Sequence, residues 1–212
     1  MERVTDLGYW MDPYLKAALD SLCYNVQDDW DGVVIVSGDG MVRIGKSMHT
    51  DQMAYYCLWK LNHDKPNWLE LRKEYIDCET TIFSGAELIA KGKKHSKNGV
   101  FKYDEARGEL DTKKVLQEIT MTLMDYFSEC GKFNHIVFLV IPEFFDLPKG
   151  LATNRSEFLI NVYRKKKPIK LGDGSQVVKL ERGFFEFYSR EAKKRLYIIG
   201  KKNFNDYRAS KY

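Results

Sequence analysis

Apolar positions in this chain follow two rhythms, short unbroken runs and stretches spaced by three and four, and the two alternate along most of its length. Asp12-Pro13 supplies an N-cap and a first-turn proline, which predicts an amphipathic helix through about Tyr24, a segment placed before the core as a lid or subunit contact. Val33 to Ser37 predicts a buried strand, and Met53, Ala54, Cys57, Leu58 and Leu61 predict a helix from Lys46 to about Leu61. A turn is expected at Asp64-Lys65-Pro66 and a short strand at Thr80 to Phe83. Ser84 then caps a helix with Glu87 at the capping-box position. After a polar loop from Lys91 to Asn98, Val100 to Asp104 reads as a strand, and Val115, Leu116, Ile119, Leu123, Tyr126 and Phe127 place a helix over about Lys113 to Cys130. His135 to Ile141 and Phe158 to Tyr163 are two further strands. Lys165 to Ser175 reads as a basic loop, and Val177 to Tyr188 with Leu196 to Gly200 as a terminal β-hairpin or extension. Strands alternating with helices predict an α/β fold with a mostly parallel central sheet flanked by helices. The expected organisation is an N-terminal helical segment over 1–30, a core over 31–165 and a basic, aromatic-rich β extension over 166–212.

Between the first core strand and the helix that follows it lies Gly40-Met41-Val42-Arg43-Ile44-Gly45-Lys46-Ser47, which fits G-x-x-x-x-G-K-[ST]. Glycines let a backbone wrap a phosphate chain and aim several N–H groups at it, and the helix beginning near Lys46 turns its positive dipole end toward the anion. Lys46 is placed to reach the β- and γ-phosphates and Ser47 to give its hydroxyl to Mg²⁺, so the core is expected to be a P-loop nucleotide-binding fold for ATP and Mg²⁺. Ile44 is unusual within such a loop.

The second element is Val100-Phe101-Lys102-Tyr103-Asp104-Glu105, a short, mostly apolar strand ending in two carboxylates. In a Walker B element Asp104 would hold a Mg²⁺-bound water and Glu105 would polarise the attacking water, which favours hydrolysis. Alternatively, Asp104 and Glu105 open the next helix, where acidic residues suit the dipole.

With 212 residues and 44% apolar content the chain suffices for one domain with a full core. Its longest apolar run is too short to span a bilayer and Met1-Glu2-Arg3-Val4-Thr5-Asp6 lacks a signal-peptide stretch, so a soluble cytoplasmic protein is expected, in the host cytoplasm if viral. Cys23, Cys57, Cys78 and Cys130 form no C-x-x-C pair and are expected to be reduced thiols. The net charge of +4 conceals a division: residues 151–212 carry 16 Lys and Arg against 6 Asp and Glu, which is +10, leaving −6 in the first 150. Arg164, Lys165, Lys166, Lys167 and Lys170 cluster there, with Phe184, Phe185, Phe187 and Tyr188 among the basic residues. This segment is either a surface that tracks a nucleic-acid backbone or a solvated basic face over an aromatic core.

The order Val33 to Ser37, Gly40 to Ser47, Tyr103-Asp104-Glu105-Ala106-Arg107 and Glu129-Cys130-Gly131-Lys132-Phe133-Asn134 before His135 to Ile141 resembles the additional-strand P-loop ATPases. Within these it is most similar to the FtsK/HerA group, including zonula-occludens-toxin-like ATPases of filamentous phages and viral packaging ATPases. The resemblance covers about residues 30 to 165 and implies an ATP-driven motor, usually a homo-oligomeric ring, that moves or packages DNA. It also implies a polar sensor after the strand that follows Walker B, where this chain departs with Ile141-Pro142-Glu143. Such motors need a positive charge on the transition-state phosphate oxygens. Arg43 within the loop, Arg155 ahead of the last core strand, Arg107, and Lys132 in the place of the family's trans-acting arginine compete for that role, each also readable as a surface ion pair.

Two alternatives remain at this level. Gly40-Met41 and Asp104-Glu105-Ala106 are similar to type II thymidine kinases, although the cysteine pairs and the Asp-Phe-Arg segment expected of those enzymes are missing. A nucleotide-dependent assembly or DNA-binding switch with weak hydrolysis also fits the altered sensor.

Overall fold

The computed structural model describes residues 2–3, 5–6, 8, 10–38, 43–95, 97–104, 106, 118–170, 172 and 175–208. A short antiparallel pair, β1 (Glu2–Arg3) and β2 (Trp10–Met11), precedes helix α1 (Pro13–Gln27). Asp12 caps α1 by accepting from the backbone of Tyr14 and Leu15, at 2.9 and 3.1 Å, as Asp-Pro predicts. Then follow β3 (Gly32–Ser37), α2 (Lys46–Asn62), α3 (Trp68–Ile76), β4 (Thr81–Ile82), α4 (Gly85–Lys94), β5 (Val100–Tyr103), α5 (Glu118–Glu129), β6 (Ile136–Val140), β7 (Leu159–Lys170), β8 (Gln176–Tyr188) and α6 (Arg190–Lys202).

One six-stranded sheet runs in the order β4-β5-β6-β3-β7-β8. Every neighbouring pair from β4 to β7 is parallel, and only β8 runs antiparallel, against β7. Strands β3 and β6 are buried along their whole length, which is why they read as unbroken apolar runs. Their alternate side chains serve two cores. Val34 and Val36 face Leu15 and Leu19 of α1 and Met53 and Leu58 of α2. Val33 and Ile35 lie in the opposite core with Leu88 of α4, Leu123 and Phe127 of α5 and Leu196 of α6. Helix α1 is therefore part of the core, its buried stripe Leu15, Leu19, Leu22, Cys23 and Val26 packed under the sheet.

Four stretches differ from the pattern expected above, the first being Lys91 to Lys94, which form the last turn of α4 where a polar loop is expected. Leu196 to Gly200 is helical: Ser189 caps α6, Glu191 lies in its first turn, and Lys193, Leu196, Tyr197 and Gly200 are buried at helical spacing. Lys165 to Lys170 is strand, because β7 continues past the sheet into a ribbon with β8, and the 165/166 division falls inside it. Helix α3, with Leu71 its single buried residue, has no strong apolar stripe to reveal it. No helix of the described residues is long and apolar enough to cross a membrane.

Candidate functional site

At the C-terminal edge of β3 the chain leaves Ser37 and returns through Arg43, Ile44 and Gly45 into α2. Gly40, Met41 and Val42 lie outside the described residues. Arg43 has φ 58° and Gly45 φ 102°, left-handed conformations that a backbone adopts to curl around an object. Gly45 is the N-cap of α2 and offers no side-chain acceptor, so among the described residues no side chain caps the first turn of this 17-residue helix. Ile44, odd for such a loop by sequence, is 1% exposed and packs with Val36 and Val162, anchoring the loop to the core beneath it. The Thr50 hydroxyl donates to the Lys46 carbonyl at 2.9 Å and secures the first turn.

Asp104 follows β5, and β6 stands between β5 and β3, so the carboxylate approaches from two strands away. Burial lowers the pKa of Lys46, and attraction to the Asp104 carboxylate opposes that shift. A second pair holds the helix and strand in register: buried Lys102 of β5 reaches Asp51 of α2, Nζ to Oδ1 at 2.5 Å. Tyr75 of α3 donates to the Asp51 carbonyl at 2.6 Å. Glu105 and Arg107 lie outside the described residues.

A cleft of about 440 Å³ opens at this edge. Its walls are Arg43 to Met48, Asp104, the strand end Val140-Ile141-Pro142, and Arg182 from β8. Among the described residues three cations, Arg43, Lys46 and Arg182, thus share the cleft with one carboxylate. Arg182 was invisible to motif reading, since it comes from the ribbon far along the chain. One hydroxyl from Ser47 and one carboxylate from Asp104 suit a hard cation that takes its remaining oxygens from phosphate and water. Among the described residues no cluster of three or more His, Cys, Asp or Glu could hold a metal by protein ligands alone.

The other candidate cations lie elsewhere. Arg155 ends a π-helical turn, Leu151–Arg155, ahead of β7, where it pairs with Asp31 and donates to the Phe127 carbonyl. Asp31 precedes β3 while the Arg43–Gly45 loop follows it, so Arg155 is across the length of a six-residue strand, roughly 20 Å. Lys132, in the 3-10 turn Cys130–Phe133 before β6, shares that far edge. So does Asn134, whose Nδ2 donates to the Val26 carbonyl at 2.8 Å. Within one chain, then, Arg43 is brought to the loop and Arg155 is not. At the expected sensor position Ile141 and Pro142 line the cleft. Glu143 instead accepts from the Tyr207 hydroxyl at 2.8 Å.

Fold and site together define an α/β protein with a mostly parallel sheet and a cationic cleft at the C-terminal edge of its strands, the usual ligand edge of such sheets. Comparison with protein-family models, with curated proteins and with solved structures finds no match to the chain.

Proposed function

We propose that the chain binds a Mg²⁺-complexed nucleoside triphosphate, ATP in the first instance, and hydrolyses it. The observation that carries this is the convergence of Lys46, Ser47 and Asp104 on one cleft at the N-terminus of α2. Lys46 binds phosphate oxygens, while the first-turn N–H groups of α2 orient the chain of phosphates. Ser47 and Asp104 would hold the cation, which supplies charge neutralisation between phosphates. Glu105, next in sequence, is the residue assigned to polarise the attacking water. Placement of β6 between the loop strand and the strand carrying Asp104 supports an additional-strand ATPase.

The reading extends to an oligomeric DNA-translocating or genome-packaging ATPase of viral or mobile-element type. Its support is the β7–β8 ribbon, which carries Lys165, Lys166, Lys167, Lys170 and Lys179 on exposed backbone and is narrow enough for a DNA groove. A second reading, a nucleotide-dependent assembly or DNA-binding switch with slow turnover, is favoured by Ile141 and Pro142 lining the cleft where a polar sensor is expected. Steady-state ATP hydrolysis by wild type and Glu105→Gln, with and without double-stranded DNA over a range of protein concentrations, separates the two. Turnover that rises with DNA and concentration and is lost in the variant supports the motor; tight binding with little turnover supports the switch.

A further inference from the structure

Arg182 is the cation of the cleft that the motifs leave without a role. Its position results from a break in the ribbon's pairing. Tyr163 of β7 faces Phe184 and Lys165 faces Glu181, so Arg182 and Gly183 together oppose Arg164. Gly183 has φ 85°, the left-handed conformation of a bulge glycine, and such a bulge bends its strand and re-aims the side chain beside it. On the sheet side of the bulge the ribbon is anchored to the phosphate-loop helix: the Phe185 ring lies 4.8 Å from His49, in the first turn of α2. Phe184 stacks on Tyr163 at 5.9 Å. Beyond the bulge the ribbon is solvent-exposed.

Among the described residues the Arg182 side chain has neither an ion pair nor a hydrogen bond, although it shares the cleft with Asp104. Three cations around one carboxylate repel one another, and a polyanion in the cleft reverses that repulsion. We propose that Arg182 contacts the terminal phosphate of the bound nucleotide, a charge supplied within the same chain by the bulge of the ribbon. This rests on the nucleotide reading above. It also makes the ribbon's angle part of the site, because a ligand that bends the ribbon moves the guanidinium relative to that phosphate, and the linkage is reciprocal.

The test is calorimetric titration of ATP and ADP, with Mg²⁺, into wild type, Arg182→Ala, Arg182→Lys and Lys46→Ala, with turnover measured in parallel and folding checked by circular dichroism. Loss of a charge-assisted contact to the terminal phosphate predicts ATP binding weaker by about 10- to 100-fold in Arg182→Ala. ADP binding should change less than about 2-fold. Arg182→Lys should recover part of the ATP preference and of the turnover. If Lys46→Ala abolishes binding of both nucleotides while Arg182→Ala keeps the wild-type ratio of ATP to ADP affinity and the wild-type turnover, the Arg182 assignment is overturned and the nucleotide reading stands. If wild type binds neither nucleotide, both fall together.

Discussion

The Tyr207 hydroxyl donates to Glu143 Oε1 at 2.8 Å, tying the last described turn of the chain to the segment that follows β6. The Tyr207 hydroxyl oxygen in turn accepts from the Phe144 backbone at 3.0 Å and lies 3.3 Å from Ser37 Oγ, at the end of β3. Burial, with the Glu143 charge beside it, pushes the Tyr207 phenol well above its ordinary pKa, so it stays a donor at any ordinary pH. A C-terminal residue thus closes a network between two segments of the cleft edge.

Tyr207→Phe would keep the ring in contact with Phe145 while removing the acceptor of the Phe144 N–H and one of the donors to Glu143. The expected loss is about 1–3 kcal/mol in urea unfolding. A change under about 0.5 kcal/mol would mean that water replaces the hydroxyl without cost, and the network would then have no structural role.

Buried Lys193 gives a pH dependence of definite sign. Its ammonium donates to the Ala152 carbonyl at 2.6 Å and to Ser156 Oγ at 2.8 Å, capping the π-helical turn. Burial, aided by nearby Arg190, lowers its pKa to about 8 against an ordinary 10.5. Between those values the unfolded chain holds the proton and the folded chain releases it, so this group raises stability as pH increases from about 8 to 10.5 and withdraws that gain as pH falls back. Lys193→Met should lack the rise. Wild type should therefore gain on the variant across the window by on the order of 2 kcal/mol, read from unfolding midpoints at each pH. Parallel pH profiles would show that Lys193 titrates as an ordinary lysine.

The ribbon's lysines are not equivalent. Lys167 pairs with Glu181 at 3.2 Å and Lys165 sits 4.3 Å above the Phe184 ring, whereas Lys166 has no such partner among the described residues. If the ribbon follows a phosphate backbone, replacing Lys165, Lys166 and Lys167 by Gln should weaken double-stranded DNA binding and reduce the log–log salt slope by about one for each lysine engaged. An unchanged slope in a filter or fluorescence titration would assign these residues to ordinary surface.

Asp104→Asn separates the cation from the phosphates. The carboxylate attracts Lys46 and is the one negative charge among the described residues lining the cleft, so its removal should weaken the Mg²⁺ requirement and improve binding of metal-free ATP. Comparing ATP affinity with Mg²⁺ and with EDTA measures both effects. An unaltered ratio would remove Asp104 from the cation site.

The parts of this fold that sequence reveals are those where one local preference decides. Ser84 caps α4 and accepts from the Glu87 backbone at 3.3 Å, and Val33 to Val36 form a strand because both of their faces are buried. The Gly40 to Ser47 pattern is readable in the same way, since all of its defining residues lie close together in the chain. Leu196 to Gly200 misled because five residues of an amphipathic helix, seen without the flanking Ser189 and Glu191, look like a strand. Lys102 and Asp51 are 51 residues apart, and their meeting depends on how α2 crosses the sheet. Arg182 was hidden more deeply, because a bulge arises from the pairing register of two strands and has no motif of its own.

The central claim is that Lys46, Ser47 and Asp104 form one Mg²⁺–triphosphate site, and equilibrium binding of ATP to wild type and Lys46→Ala tests it most directly. The account predicts saturable, Mg²⁺-dependent binding by wild type, weakened by about 100-fold or more in the variant while its circular dichroism spectrum is unchanged. Binding that is absent in folded wild type, or that persists undiminished without the Lys46 ammonium, would contradict it.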